Sequence, residues 1–187
     1  MPDDDLLEIT LYLPCHGPVA HQKAPLNDLM KIQNPQWGPG LSLTKNRIQA
    51  EETPGVRSIR KLVIQCPQWS IIDAKQVLAF QSPQAQRAIA SICSRSQISM
   101  PEANQSFEAW HWESQKKVCN LNGQLAEHGV RFIRTTEPAG DSNTPYNFMV
   151  VWILLSLDAV RLEQHQNVSL SPGEVFGANY PIGLAEV

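Results

Sequence analysis

The sequence predicts an α+β fold: a mixed or antiparallel sheet of about four to five strands with two long helices packed on one face. Three observations carry this. Two runs, 6–13 and 58–66, alternate apolar and polar residues as half-buried strands do. Ser82-Pro83 and Thr144-Pro145 each place a capping residue before a first-turn proline, ahead of apolar residues at helical spacing. No glycine fingerprint follows a strand, which disfavours a nucleotide-binding parallel sheet. At 187 residues the chain fits one domain, 1–187, and 42% hydrophobic with 18% charged residues is the composition of a globular protein.

Each element follows from local chemistry. Ile9, Leu11 and Leu13 share one face of the first strand, which Pro14 ends. Residues 14–26, with three prolines and two histidines, read as loop. Leu26–Ile32 is a short helical stretch closed by Asn34-Pro35. Gly40–Thr44 and Arg47–Ala50 offer weak strand material, and Glu51–Gly55 is a turn. In the 58–66 strand Leu62, Ile64 and Cys66 share a face, and Gln76–Phe80 predicts a third strand. The helix from Pro83 presents Ala85, Ala88, Ile89, Ile92 and Cys93 as one stripe.

The longest helix is expected after Met100-Pro101, with Phe107, Trp110, Val118, Leu121 and Leu125 on one face and Gly129 as its stop. A strand over 130–135 and a turn-rich loop come next. The apolar run Phe148–Leu157 has strand propensity at Val150, Val151, Trp152 and Ile153. Its capping pair at Thr144-Pro145 and its length predict instead a buried helix over 145–164. A run of this length is too short to cross a bilayer, which takes roughly 20 apolar residues. Ser171–Glu174 is a capping box that opens a last short helix near 174–178.

A net charge of -3 and a pI near 5.9 make nucleic acid an unlikely partner, because a phosphate backbone needs clustered cations. The acidic start, Met1 to Asp5, is unlike a secretory leader, and Cys15, Cys66, Cys93 and Cys119 form no C-x-x-C pair. These features predict reduced thiols in a soluble, cytoplasmic protein with no cofactor, metal or membrane attachment. One hexapeptide recurs: Ile32-Gln-Asn-Pro-Gln-Trp37 returns as Ile64-Gln-Cys-Pro-Gln-Trp69. Duplication of a structural unit would put Trp37 and Trp69 in equivalent places.

Three groups carry candidate chemistry. Cys15-His16 with His21 supplies the residue types of a nucleophile or metal site, although adjacent residues point apart. Trp110-His111-Trp112 puts one indole on the apolar stripe and turns His111 and Trp112 toward another face. Exposed tryptophan is typical of interface anchors, so His111, Trp112, Trp37 and Trp69 are the candidate contact residues. The loop 135–145 joins a strand's carboxyl end to an expected helix start, where free N–H groups favour an anion. There Arg134 supplies charge, Ser142, Asn143 and Thr144 supply donors, and His16 or His21 could join from the loop after the first strand. Ser, Asn and Thr are also what any helix cap uses.

Two functions of different class follow. One is a binding or regulatory protein that works by contact with a protein partner or a second copy of itself. The other is a small-molecule enzyme or ligand-binding protein that uses the 135–145 anion site. A concave site lined by Arg134, Thr144 and a histidine favours the second; a flat apolar patch with Trp112 exposed favours the first.

Overall fold

Ile9, Leu11, Leu13 and Cys15 alternate with less buried neighbours, and in the computed structural model they form one face of a ten-residue strand, β1 (Leu6–Cys15). The structure describes residues 5–15, 23–31, 33–34, 36–53, 55–138 and 148–168. After β1 come α1 (Leu26–Leu29), a ribbon of β2 (Gln33–Asn34) and β3 (Gly38–Pro39), β4 (Leu41–Thr44), α2 (Arg47–Glu52) and β5 (Ser58–Pro67). The second half holds β6 (Ile71–Asp73), α3 (Pro83–Ser96), α4 (Phe107–Ser114), α5 (Leu121–Glu127), β7 (Phe132–Pro138), β8 (Phe148–Leu154) and β9 (Val160–Asn167).

Seven strands make one mixed sheet in the order β6-β7-β8-β4-β1-β5-β9, in which β6 and β7 are parallel and the other pairs antiparallel. This sheet cannot be flat. β5 and β6 lie five positions apart, which would separate them by about 24 Å at ordinary strand spacing. Only Gln68–Ser70 join them, and that many links span at most about 14 Å. The sheet therefore curls until its two halves face each other. The three linking residues prolong the ladders on either side of them: Gln68 N–H donates to Asp5 O at 3.3 Å beyond the β1–β5 pair, and Arg131 N–H to Ser70 O at 2.8 Å ahead of the β6–β7 pair.

Curling creates an inside and an outside. Ile9, Leu11 and Leu13 of β1, Leu62, Ile64 and Cys66 of β5, Leu43 of β4, Phe132 of β7, and Trp152 and Leu154 of β8 fill the inside, with Leu26 of α1 against them. Outside β6, β7 and β8 lies a second core, where Ile72, Ile133, Val151 and Ile153 meet Ala85, Ile89, Ile92, Phe107, Trp110, Leu121 and Leu125 of the helices. The helices lie there because parallel β6 and β7 need a crossover connection, and residues 74–131 supply it. A small third cluster, Ala50, Val56 and Ile59, seats α2 on β5.

The β6 edge is closed by a side chain. Gln81 Oε1 accepts from Asp73 N–H at 3.1 Å and its Nε2 donates to Asp73 O at 2.6 Å, as a neighbouring strand would.

Several expectations are corrected. The sheet has seven strands rather than four to five, and two long helices are not confirmed among the described residues. Among the described elements α3 alone is long, with 14 residues. The helix expected after Pro101 starts at Phe107 behind the Ser106 cap. It is then broken between Ser114 and Leu121, where Asn120 takes φ 51 and caps α5 through Gly123 N–H. Phe107, Trp110, Val118, Leu121 and Leu125 still share one core, so the pattern located the burial but not the break.

Arg47–Ala50 is helix, started by Asn46, rather than strand. Over 76–80 the chain makes a single bridge at Val77 and a 3-10 turn at Leu78–Phe80. The helix expected over 145–164 is instead β8, a 3-10 turn at Leu157–Ala159, and β9. Over Val151–Leu154 β8 is apolar without a break because both its faces are covered there, Val151 and Ile153 by helices and Trp152 and Leu154 by the inner core. Its β-branched run was the better guide. The expected caps at Thr144-Pro145 and Ser171–Glu174 and the short helix near 174–178 lie outside the described residues.

Candidate ligand-binding cleft

Three strands, β4, β6 and β7, run out at the same end of the curled sheet, where β8 begins. β4 pairs with β8 only as far as Thr44 opposite Val151, so Met149 and Val150 extend beyond its end. The gap is a cleft of about 600 Å³, lined by Thr44, Lys45, Asn46, Gln49, Asp73, Lys75, Arg134, Thr135, Thr136, Met149, Val150 and Trp152. That volume is in the range of small-molecule sites. Three cations and one carboxylate line it, in a chain whose net charge is -3.

Trp152 organises the cations. It lies opposite Arg134 on β7 and Leu43 on β4, so all three side chains share the inner face. The Arg134 guanidinium carbon lies 5.8 Å from the indole centroid and the Lys45 ammonium 5.3 Å. A cation over an indole is held by the ring's negative face, worth about 0.5–1 kcal/mol at exposed sites. Asp73 fixes Arg134 from the other side, accepting from one terminal nitrogen at 2.6 Å, while its other oxygen accepts Lys75 N–H at 3.0 Å. Guanidinium has five donors, and this bond uses one of them. Lys75 pairs with Glu108 at 2.5 Å. The Lys45 ammonium has no carboxylate within ion-pair distance among the described residues.

Two residues of the lining, Trp152 and Thr135, each carry a buried side-chain polar atom, Nε1 and Oγ1, with no hydrogen-bond partner among the described residues; the residues are only 4% and 2% exposed. A buried donor left unbonded costs about 1–3 kcal/mol, so such atoms are rare in folded proteins.

Beside the cleft Glu137, also on β7, accepts a bond from the Trp37 indole. Burial raises its pKa first and the nearby Glu108 raises it further, against the Trp37 bond and Lys75.

A second cleft, of about 430 Å³, is lined by Trp37, Gly38, Pro39, His111, Gln115, Cys119 and Asn122 among others. His111 is fully buried there, with Nε2 2.8 Å from Asn122 Oδ1. Asn122 Nδ2 donates to Trp37 O at 2.6 Å and Pro39 O at 2.7 Å, which turns Oδ1 toward the imidazole. Nε2 therefore carries the proton and Nδ1 is bare. Desolvation lowers the His111 pKa to about 4, opposed by the Asn122 bond. This imidazole is neutral and serves as a structural bolt between α4, α5 and the β2–β3 ribbon.

Of the residues singled out from the sequence, Arg134 lies in the first cleft; Ser142, Asn143, Thr144, His16 and His21 lie outside the described residues. Cys15 is buried, its thiol donating to Leu13 O at 3.6 Å. Burial raises the Cys66 and Cys93 thiols above their usual pKa, which makes them poorer nucleophiles. The four proposed contact residues do not form one surface: Trp37 and His111 are buried, Trp69 is half-buried, and Trp112 is exposed. Nor do Trp37 and Trp69 occupy equivalent places. The first is packed in the helix-side core and the second touches Gly129 beside a 3-10 turn, so the hexapeptide repeat does not mark a duplicated unit.

Sequence reasoning missed Lys45, Asp73, Lys75 and Trp152. β6 is too short to show a period, and Trp152 is hidden in an apolar run until that run is read as strand. Among the described residues no cluster of three or more His, Cys, Asp or Glu is placed to hold a metal ion, and no helix is long and apolar enough to cross a membrane. No family model, curated protein or solved structure matches this chain.

Proposed function

We propose that this protein binds a small anionic ligand in the cleft at the open end of its curled sheet. One observation carries the reading: Lys45 and Arg134 converge on the Trp152 indole at the wall of a cavity of about 600 Å³. Lys45 has no carboxylate within reach among the described residues, and Arg134 spends one of its donors on Asp73. Cations held over a low-dielectric floor attract an oxyanion more strongly than the same charges in open water.

Titration calorimetry with phosphate and with simple carboxylates tests this. Binding is expected to weaken at high salt, and Lys45→Ala and Arg134→Ala each to cost about tenfold in affinity, the worth of one charge-assisted bond. Wild-type protein that binds none of these anions, or a Lys45→Ala/Arg134→Ala pair that binds them as well as wild type, overturns the reading.

A second reading, contact with a protein partner or a second copy of the chain, is favoured by Trp112. It is 39% exposed, with its ring 6.3 Å from Trp37. Sedimentation of wild type and Trp112→Ala checks it. A complex or oligomer that survives the substitution unchanged removes Trp112 from the interface.

A further inference from the structure

We propose that the ligand is an amphipathic oxyanion, an organic carboxylate or phosphate with an apolar body, whose acidic head accepts the Trp152 indole proton between Lys45 and Arg134. This rests on the anion-binding reading above and specifies it. The cavity, about 600 Å³, is far larger than an inorganic ion needs, so the head fills only part of it.

The remaining wall has an apolar portion. Met149 and Val150 extend past the end of β4, and Val150 is 43% exposed in a strand that is otherwise buried from Val151 to Leu154. An alkyl or aryl body lying there removes this surface from water, which is the term that makes apolar ligands bind.

The head group is placed by the indole. Trp152 is 4% exposed and its Nε1 has no partner, although a buried N–H nearly always has one. The groups lying over this ring are the side chains of Lys45 and Arg134, both long and both exposed. An oxyanion that draws these two cations onto itself and off the ring would supply the buried N–H with its missing acceptor. Indole is a donor only, so the atom it meets must be an acceptor, as every oxygen of a carboxylate or phosphate is.

The test titrates wild-type protein with phosphate, acetate, hexanoate, decanoate and hexyl phosphate, with its tryptophans labelled with ¹⁵N. Of the five indole N–H resonances, the one of Trp152 is expected to shift downfield, and affinity to rise at least about tenfold from acetate to hexanoate. Hexanoate against hexyl phosphate tells which head is preferred. Trp152→Phe keeps an aromatic ring and loses the N–H; it is expected to bind hexanoate about tenfold more weakly than wild type. Should that variant not fold, the Trp152 resonance of the wild type still decides. Affinity that is flat along the chain-length series, or a Trp152 resonance that stays still at saturation, overturns this inference while anion binding stands. Failure of every probe to bind overturns both.

Discussion

His111 donates its Nε2 proton to Asn122 Oδ1 across 2.8 Å, and this bond sets how the fold responds to acid. The imidazole is fully buried, and its pKa falls from 6.5 to about 4. The folded value is depressed, so the unfolded chain takes up the proton first. Stability is complete above about pH 6.5 and is lost as pH falls toward 4, by about 3 kcal/mol at most. Urea midpoints measured from pH 7 to pH 4 should fall in wild type. His111→Gln should start lower and lose this part of the slope. An unchanged slope in the variant rejects His111 as the titrating group.

Asn122 satisfies three partners at once: the His111 N–H and the carbonyls of Trp37 and Pro39. Asn122→Ala leaves all three in a largely dry site, at a cost on the order of 3 kcal/mol or more. Gln115→Ala, which removes one exposed bond to Gln36 O at 3.0 Å, should cost under about 1 kcal/mol. Chemical denaturation of the two variants side by side checks the contrast, and equal losses would refute the clamp.

Glu137 titrates in the other sense. Burial and the neighbouring Glu108 raise its folded pKa, so the neutral form suits the fold better than the charged one. Its contribution is most favourable at low pH and is lost as pH rises through the raised folded value. Glu137→Gln can still accept the Trp37 indole bond and carries no charge. The variant should therefore melt higher than wild type at neutral pH, and the gain should vanish below the ordinary carboxylate range. A melting temperature lower than wild type at neutral pH would show that the charge helps the fold.

How far the sequence could be read follows from which forces act locally. β1 and β5 were legible because each has one face in the inner core and one less buried, and that difference is written as alternation. β8 was not, because burial on both faces erases the period, and the residues on either side of it suggested a helix cap. α4 and α5 were legible as a buried stripe, but Asn120 at φ 51 is a backbone event that the stripe does not record. Of the cleft, Arg134 could be named because it follows an evident strand. Lys45 and Asp73 reach the same place only through the curl that brings β4, β6 and β7 to one end, and that curl depends on pairings distant in sequence.

Ahead of the parallel β6–β7 pair, Gly129 lies against Trp69. Gly129 follows α5 with φ 88, in the left-handed region that a side chain enters at a cost of roughly 1 kcal/mol or more. A Cβ there would lie 2.9 Å from Trp69 Cη2 and 3.3 Å from Cζ3, inside normal contact distance. Gly129→Ala thus carries two penalties, one of backbone and one of contact, for a total on the order of 2–3 kcal/mol. Trp69→Leu removes the ring atoms concerned. In that background Gly129→Ala should cost only the backbone part, about 1 kcal/mol, and a double-mutant cycle by denaturant unfolding measures the difference as a coupling between the two sites. If Gly129→Ala costs the same in both backgrounds, the indole is not what holds this position to glycine, and the helix end alone requires it.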